Sequence, residues 1–227
     1  MIGIFDSGVG GICAYRQVRL MLPQEDIIYL ADRKNAPYGT KTKEEILKFT
    51  KNNIELLKNY GARKILIACC TASTLYDLLD REEKEISTPI IAPTAKKVAK
   101  IGGKVAVIAT EHTARCGAFS REIAKISDAS VVEMAEQRLV SIVEGGNRDG
   151  ALSPEGEEYL SRLAERIERT EANTLILGCT HFSHLEGELK RRLPKINIVS
   201  PAREGAKEIV KNILRKSECG KDIYLSP

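Results

Sequence analysis

The sequence predicts an α/β protein built from two pseudo-symmetric α/β domains with parallel sheets and an active site in the cleft between them. Three observations carry this. Short apolar runs alternate with longer amphipathic stretches along all 227 residues, the pattern of strands joined by covering helices. Two runs end alike, Ile65-Leu66-Ile67-Ala68-Cys69-Cys70-Thr71 and Leu175-Ile176-Leu177-Gly178-Cys179-Thr180, with Cys69 and Cys179 110 positions apart. The first run, ending near Asp6, has a counterpart ending near Thr110, an offset of 104.

Taken in order, strands are expected at 2–6, 27–31, 64–68, 89–92, 104–109, 130–134, 174–178 and 196–199. The first starts at once, without the basic segment and long apolar stretch of a signal peptide. Gly8, Gly10 and Gly11 then form a turn into a helix. Ile46, Phe49, Ile54 and Leu57 share one helical face. Ser153 is placed to cap a later helix with Pro154 at its first position and Leu160, Leu163, Ala164 and Ile167 inward. The offsets divide the chain into a first domain of 1–92 plus 200–227 and a second of 93–199.

Composition narrows the functions. Hydrophobic residues make up 43%, enough for a packed core. The net charge of +4 is spread along the chain, with no Trp and 5% aromatics, which argues against nucleic-acid binding. No apolar run reaches the roughly 18 residues of a membrane helix, so a cytoplasmic protein without membrane contact is expected. Cysteines stand at 13, 69, 70, 116, 179 and 219, none in a C-x-x-C pair. A structural zinc site is therefore not expected, and free thiols are.

Ligands of open parallel sheets sit beyond the carboxyl ends of the strands. Cys69 and Cys179 both lie there, each just before a helix whose dipole is expected to lower the thiol pKa from about 8.5. Two such thiols flanking one ligand could remove a proton from one face of a carbon and deliver one to the other. Other readings stay open on these residues alone. A cysteine at a strand end is also an ordinary small core residue, and His181, two positions after Cys179, would suit a thiol-dependent hydrolase. Asp6-Ser7-Gly8-Val9-Gly10-Gly11 occupies the place of an anion-binding turn, but the third glycine of the dinucleotide fingerprint is Cys13.

Four segments together resemble the glutamate racemases: Asp6-Ser7-Gly8-Val9-Gly10-Gly11, Pro37-Tyr38-Gly39-Thr40, Ala68-Cys69-x-Thr71-Ala72-Ser73, and Gly178-Cys179-Thr180-His181-Phe182. The resemblance runs from about residue 2 to about residue 210. The related aspartate racemases usually open on a different turn and carry His where Ser73 stands, which favours the glutamate branch. The resemblance implies a two-base reaction without cofactor or metal, supplying D-glutamate for peptidoglycan, in a homodimer. It assigns Cys69 and Cys179 as the bases, assisted by Asp6 and His181. Ser7, Pro37, Tyr38, Gly39, Thr71 and Thr180 match substrate-binding positions. So do Thr110 and Thr113, and Glu144 resembles a further acidic residue of the site.

The sequence departs from the family at three places. Cys70 replaces the Asn after the first cysteine, Ser183 replaces a Pro, and the end of the chain, 221–227, is short. Position 70 is counted among the substrate-binding positions. The departure there keeps two alternatives in view, a racemase for another small amino acid such as aspartate and a ligand-binding homologue without turnover.

Overall fold

The chain places its β-branched and leucine-rich runs at the centre of two sheets. The computed structural model describes residues 1–145, 152–211, 213 and 220–227, so Cys219 lies outside the described residues. Ile2–Asp6 (β1), Ile27–Ala31 (β2), Lys64–Ile67 (β3), Ser87–Pro89 (β4) and Asp222–Leu225 (β9) form one sheet. Lys104–Ala109 (β5), Ser130–Ala135 (β6), Thr174–Gly178 (β7) and Asn197–Val199 (β8) form the other. The first runs β4-β3-β1-β2-β9 and the second β6-β5-β7-β8. Every pair is parallel.

Read from the opposite edge, the second sheet is β8-β7-β5-β6, which superposes in order on β4-β3-β1-β2. The internal repeat is thus a repeat of topology, with β1 answering to β5 and β3 to β7. The two cysteines follow equivalent strands.

Two segments differ from expectation. The strand expected at 89–92 stops at Pro89, and Ile91–Ala99 is a helix. Pro93 lies in its first turn, where no backbone donor is needed. The second difference is β9, which the sequence reading omitted. It pairs with β2, Ile27 opposite Asp222 through Leu30 opposite Leu225. Arg19 holds it in place, forming an ion pair with Asp222 and donating to the carbonyls of Leu22, Pro23 and Glu25. Tyr15 donates to Asp222 at 2.9 Å and meets Tyr224 edge-on.

The helices follow their sequence signals. Lys43–Asn59 starts with Thr42 accepting from Glu45 N–H while Glu45 accepts in return. Pro154–Glu168 starts with Ser153 accepting from Gly156 N–H at 3.1 Å. Each outer face has its own core, Phe5, Ile46, Ile54 and Leu57 on one side and Leu160, Leu163, Ile167 and Leu177 on the other. Between the sheets lies a shared core containing Ile4, Val18, Val98, Val107, Ile176 and Ile209. Each such side chain stabilises by roughly 1.5–3 kcal/mol when fully buried. This shared core joins the two halves. Among the described residues no helix is long and apolar enough to cross a membrane.

Candidate active site

Each cysteine stands at the N-cap of the turn that follows its strand. Cys69 is extended, and its carbonyl accepts from Ser73 N–H at 2.9 Å as the helix Cys70–Ser73 begins. Cys179 is extended likewise, and its carbonyl accepts from Phe182 N–H at 3.0 Å as the 3-10 turn Thr180–Leu185 begins. The backbone N–H groups of Ser7 and Ala72 lower the Cys69 pKa, and those of His181 and Phe182 lower that of Cys179. A cap oxygen would normally take such donors; neither cysteine sulfur forms a cap hydrogen bond.

Both thiols face one small cavity of about 20 Å³, lined from the first sheet by Ser7, Pro37, Tyr38, Gly39, Cys69, Cys70 and Thr71. The second sheet contributes Thr110, Gln137, Val140, Cys179, Thr180 and His181. That volume holds about one water. An amino acid is larger than this space.

The cavity wall is cross-linked between the sheets. Asp6, fully buried, accepts from Gly8 N–H at 3.0 Å and from the Thr180 hydroxyl at 3.1 Å. The Thr71 hydroxyl lies 3.1 Å from that of Thr110 and 3.3 Å from that of Thr113, and Thr110 donates to Thr113 at 3.0 Å. Thr113 thus supports the wall without lining it. The Ser7 hydroxyl lies 3.7 Å from the Cys69 sulfur, and His181 Nδ1 lies 3.7 Å from the Cys179 sulfur.

Two glycines permit this closeness. A Cβ on Gly10 would come within 2.6 Å of Thr180 Oγ1 and 2.8 Å of the His181 backbone nitrogen. A Cβ on Gly39 would come within 2.7 Å of Gln137 Oε1 and 2.9 Å of Thr110 Cβ. The glycine-rich turn therefore serves contact between the two sheets.

The thiol pKa values go against the sequence expectation. Burial pushes Cys69 up to about 12, and the Asp6 carboxylate adds to the rise. Burial also raises Cys179 and Cys70. The N–H groups around each reactive sulfur lower its pKa, but removal from water is the larger effect.

Other expected residues take different places. The Tyr38 hydroxyl donates to Asp32 and accepts from Asn53 Nδ2 at 3.0 Å, so it is committed away from the cavity. Glu144 is exposed and lies on an outer cavity of about 610 Å³, which shares His181 with the inner one. Its Oε1 is 3.1 Å from His181 Nε2, close enough for charge pairing but poorly aligned for a hydrogen bond. His184 lies on the same outer cavity with Nε2 3.7 Å from the Cys13 sulfur. Gln137 and Val140 were not anticipated. A glutamine between Glu136 and Arg138 carries the sequence signal of a solvated turn.

The sequence and the fold recur in known proteins. A model described as Asp/Glu/Hydantoin racemase matches residues 14–209. The chain belongs to the Asp/Glu/hydantoin racemase family. The family's glutamate racemase from Desulforudis audaxviator (strain MP104C) is 33% identical over 220 residues, 95% of this chain and 80% of that one. Glutamate racemase isoform RacE1 from Bacillus anthracis superposes with a TM-score of 0.90 at 29% identity, covering 100% of this chain and 88% of that one. A third family member, glutamate racemase from Francisella tularensis subsp. tularensis SCHU S4 in complex with D-glutamate, gives 0.82 at 25% identity, covering 99% and 87%.

Proposed function

We propose that this chain interconverts L- and D-glutamate without a cofactor, with Cys69 and Cys179 as the two bases in the cleft between the domains 1–92 plus 200–227 and 93–199. The observation that carries the reading is the pair of buried thiols, on equivalent strand ends of two like sheets, lining one cavity.

One cysteine acts as thiolate and takes the α-proton, leaving its electron pair on the carbon. The other, as thiol, gives a proton to the opposite face. The first then carries a proton and the second a charge, and exchange with solvent restores either form. An amino-acid Cα–H is a far weaker acid than a thiol. A thiolate whose pKa is raised by burial and by Asp6 is the stronger base for it. The substrate's α-ammonium brings the positive charge that favours forming that thiolate.

Ser7, Thr71, Thr110, Thr180 and the backbone of 37–39 line the substrate's place. His181 lies beside Cys179 to hold or pass its proton, and Glu144 orients His181 from outside. The role is supply of D-glutamate for peptidoglycan, in the cytoplasm and as a homodimer; the family resemblance supports these points. The test is polarimetry of L-glutamate with the pure protein and no added cofactor. Decay of rotation to zero is expected, and an unchanged signal defeats the reading.

A further inference from the structure

We propose that Gln137 donates hydrogen bonds to a substrate carboxylate, supplying the side-chain amide that position 70 lacks. This rests on the racemase reading. The family's Asn after the first cysteine is Cys70 here, and a thiol is a weak donor and a weak acceptor. Cys70 and Gln137 line the same small cavity from opposite sheets.

The orientation of the amide follows from its partner. Gln137 Oε1 accepts from Glu111 N–H at 3.3 Å, which leaves Nε2 and its two hydrogens with no partner among the described residues. The hydroxyls of Thr71, Thr110 and Thr180 are already committed to one another or to Asp6. A carboxylate in this cavity needs donors, and the Gln137 amide is unspent.

The backbone on the N-terminal side of Gln137 is held fast. Glu136 is 1% exposed, and it accepts from the Tyr159 hydroxyl at 2.6 Å while Arg166 lies 2.9 Å from its other oxygen. Its N–H donates to the Ala109 carbonyl at 2.8 Å. A buried, paired carboxylate next in sequence thus fixes where the glutamine starts, at the mouth of the helix Arg138–Glu144.

The test compares Gln137→Met, Gln137→Glu and Cys70→Asn/Gln137→Met with the wild type, by kcat/KM for glutamate and by calorimetric titration with L-glutamate. Gln137→Met is expected to lose about tenfold to a hundredfold in kcat/KM. Gln137→Glu keeps an acceptor for Glu111 N–H but turns a charge on the carboxylate, so it should lose at least as much. The double variant should return to within about threefold of the wild type. Either single variant within about twofold of wild type in both readouts overturns the proposal. So does a double variant no better than Gln137→Met. If the wild type exchanges no α-hydrogen with solvent, the racemase reading fails separately, and the titrations still decide the role of Gln137. Absence of L-glutamate binding by the wild type overturns both.

Discussion

Thr180 donates a 3.1 Å hydrogen bond to Oδ1 of Asp6, joining the end of β7 to the end of β1. The carboxylate so held is fully buried and raises the pKa of the thiols on both sides of the cavity. One residue therefore ties the two sheets together and adds to the rise that burial imposes on both thiols.

Asp6→Asn should accordingly shift the Cys69 titration downward, since it removes the charge that raises it, and should cost at least about tenfold in kcat. The ultraviolet absorbance of the thiolate against pH reads the shift. The sign carries over to stability. A folded-state pKa above that of a free thiol means that the folded chain keeps a proton the unfolded chain has lost. The resulting stability is full below about pH 9 and is lost as pH rises toward about 12. Denaturant titrations should show a smaller alkaline loss in Cys69→Ala than in the wild type.

Cys69→Ala and Cys179→Ala should each remove racemisation by about 10²–10⁴-fold or more while remaining folded, because one thiol takes a proton and the other gives one in either direction. Turnover and circular dichroism on the same samples test this. A folded variant with near wild-type turnover would move the role to another cysteine, Cys70 first.

Racemisation in heavy water should place deuterium on the α-carbon of the newly formed enantiomer, since the donating sulfur equilibrates with solvent. Proton NMR of the product reads it. Product with only the original hydrogen contradicts two separate bases.

Gly10→Ala should separate the sheets. The new methyl would stand 2.8 Å from a backbone nitrogen of His181, which no rotamer change relieves. Overpacking of this kind costs about 1–3 kcal/mol. The expected outcome is a lowered melting temperature and a fall in kcat/KM, where a surface turn would tolerate the change.

Cys70→Asn alone should raise kcat/KM for glutamate only slightly, by less than about tenfold. Gln137 already offers an amide to the same cavity. A clear fall in activity would give Cys70 a function of its own. Assaying aspartate alongside glutamate separates a change of preference from a general defect.

The parts of the fold that were legible in the sequence share one property, continuous burial. β1, β2, β5 and β7 are buried along almost their whole length and read as unbroken apolar runs. β9 is four residues with alternating exposure at a sheet edge, too short for its pattern to register. The run 89–92 is apolar because Ile90 and Ile91 enter the shared core, but periodicity over four residues cannot tell a strand from the start of a helix. At the site, Cys69, Cys179 and Asp6 stood out because polar or reactive groups ended apolar strands, and the threonines through the family resemblance. Gln137 did not, since only the meeting of the two sheets brings it to Gly39. Nor could the thiol pKa values be foreseen, because a helix start is visible in a sequence and the loss of surrounding water is not.

The pairing of β9 with β2 has a bearing on how the protein is made. Residues 222–225 complete a sheet whose other strands lie before residue 90, so the ribosome has synthesised the entire second sheet before the first can close. At about 5–20 residues per second, the emerging chain holds an open edge at β2 for about 10–40 seconds, with Tyr15 and Tyr29 lacking Tyr224. A nascent chain in this condition exposes backbone groups that invite strand pairing with a neighbour. The late arrival of a four-residue strand thereby makes the emergence of residues 222–225 the step at which the first sheet gains its cover.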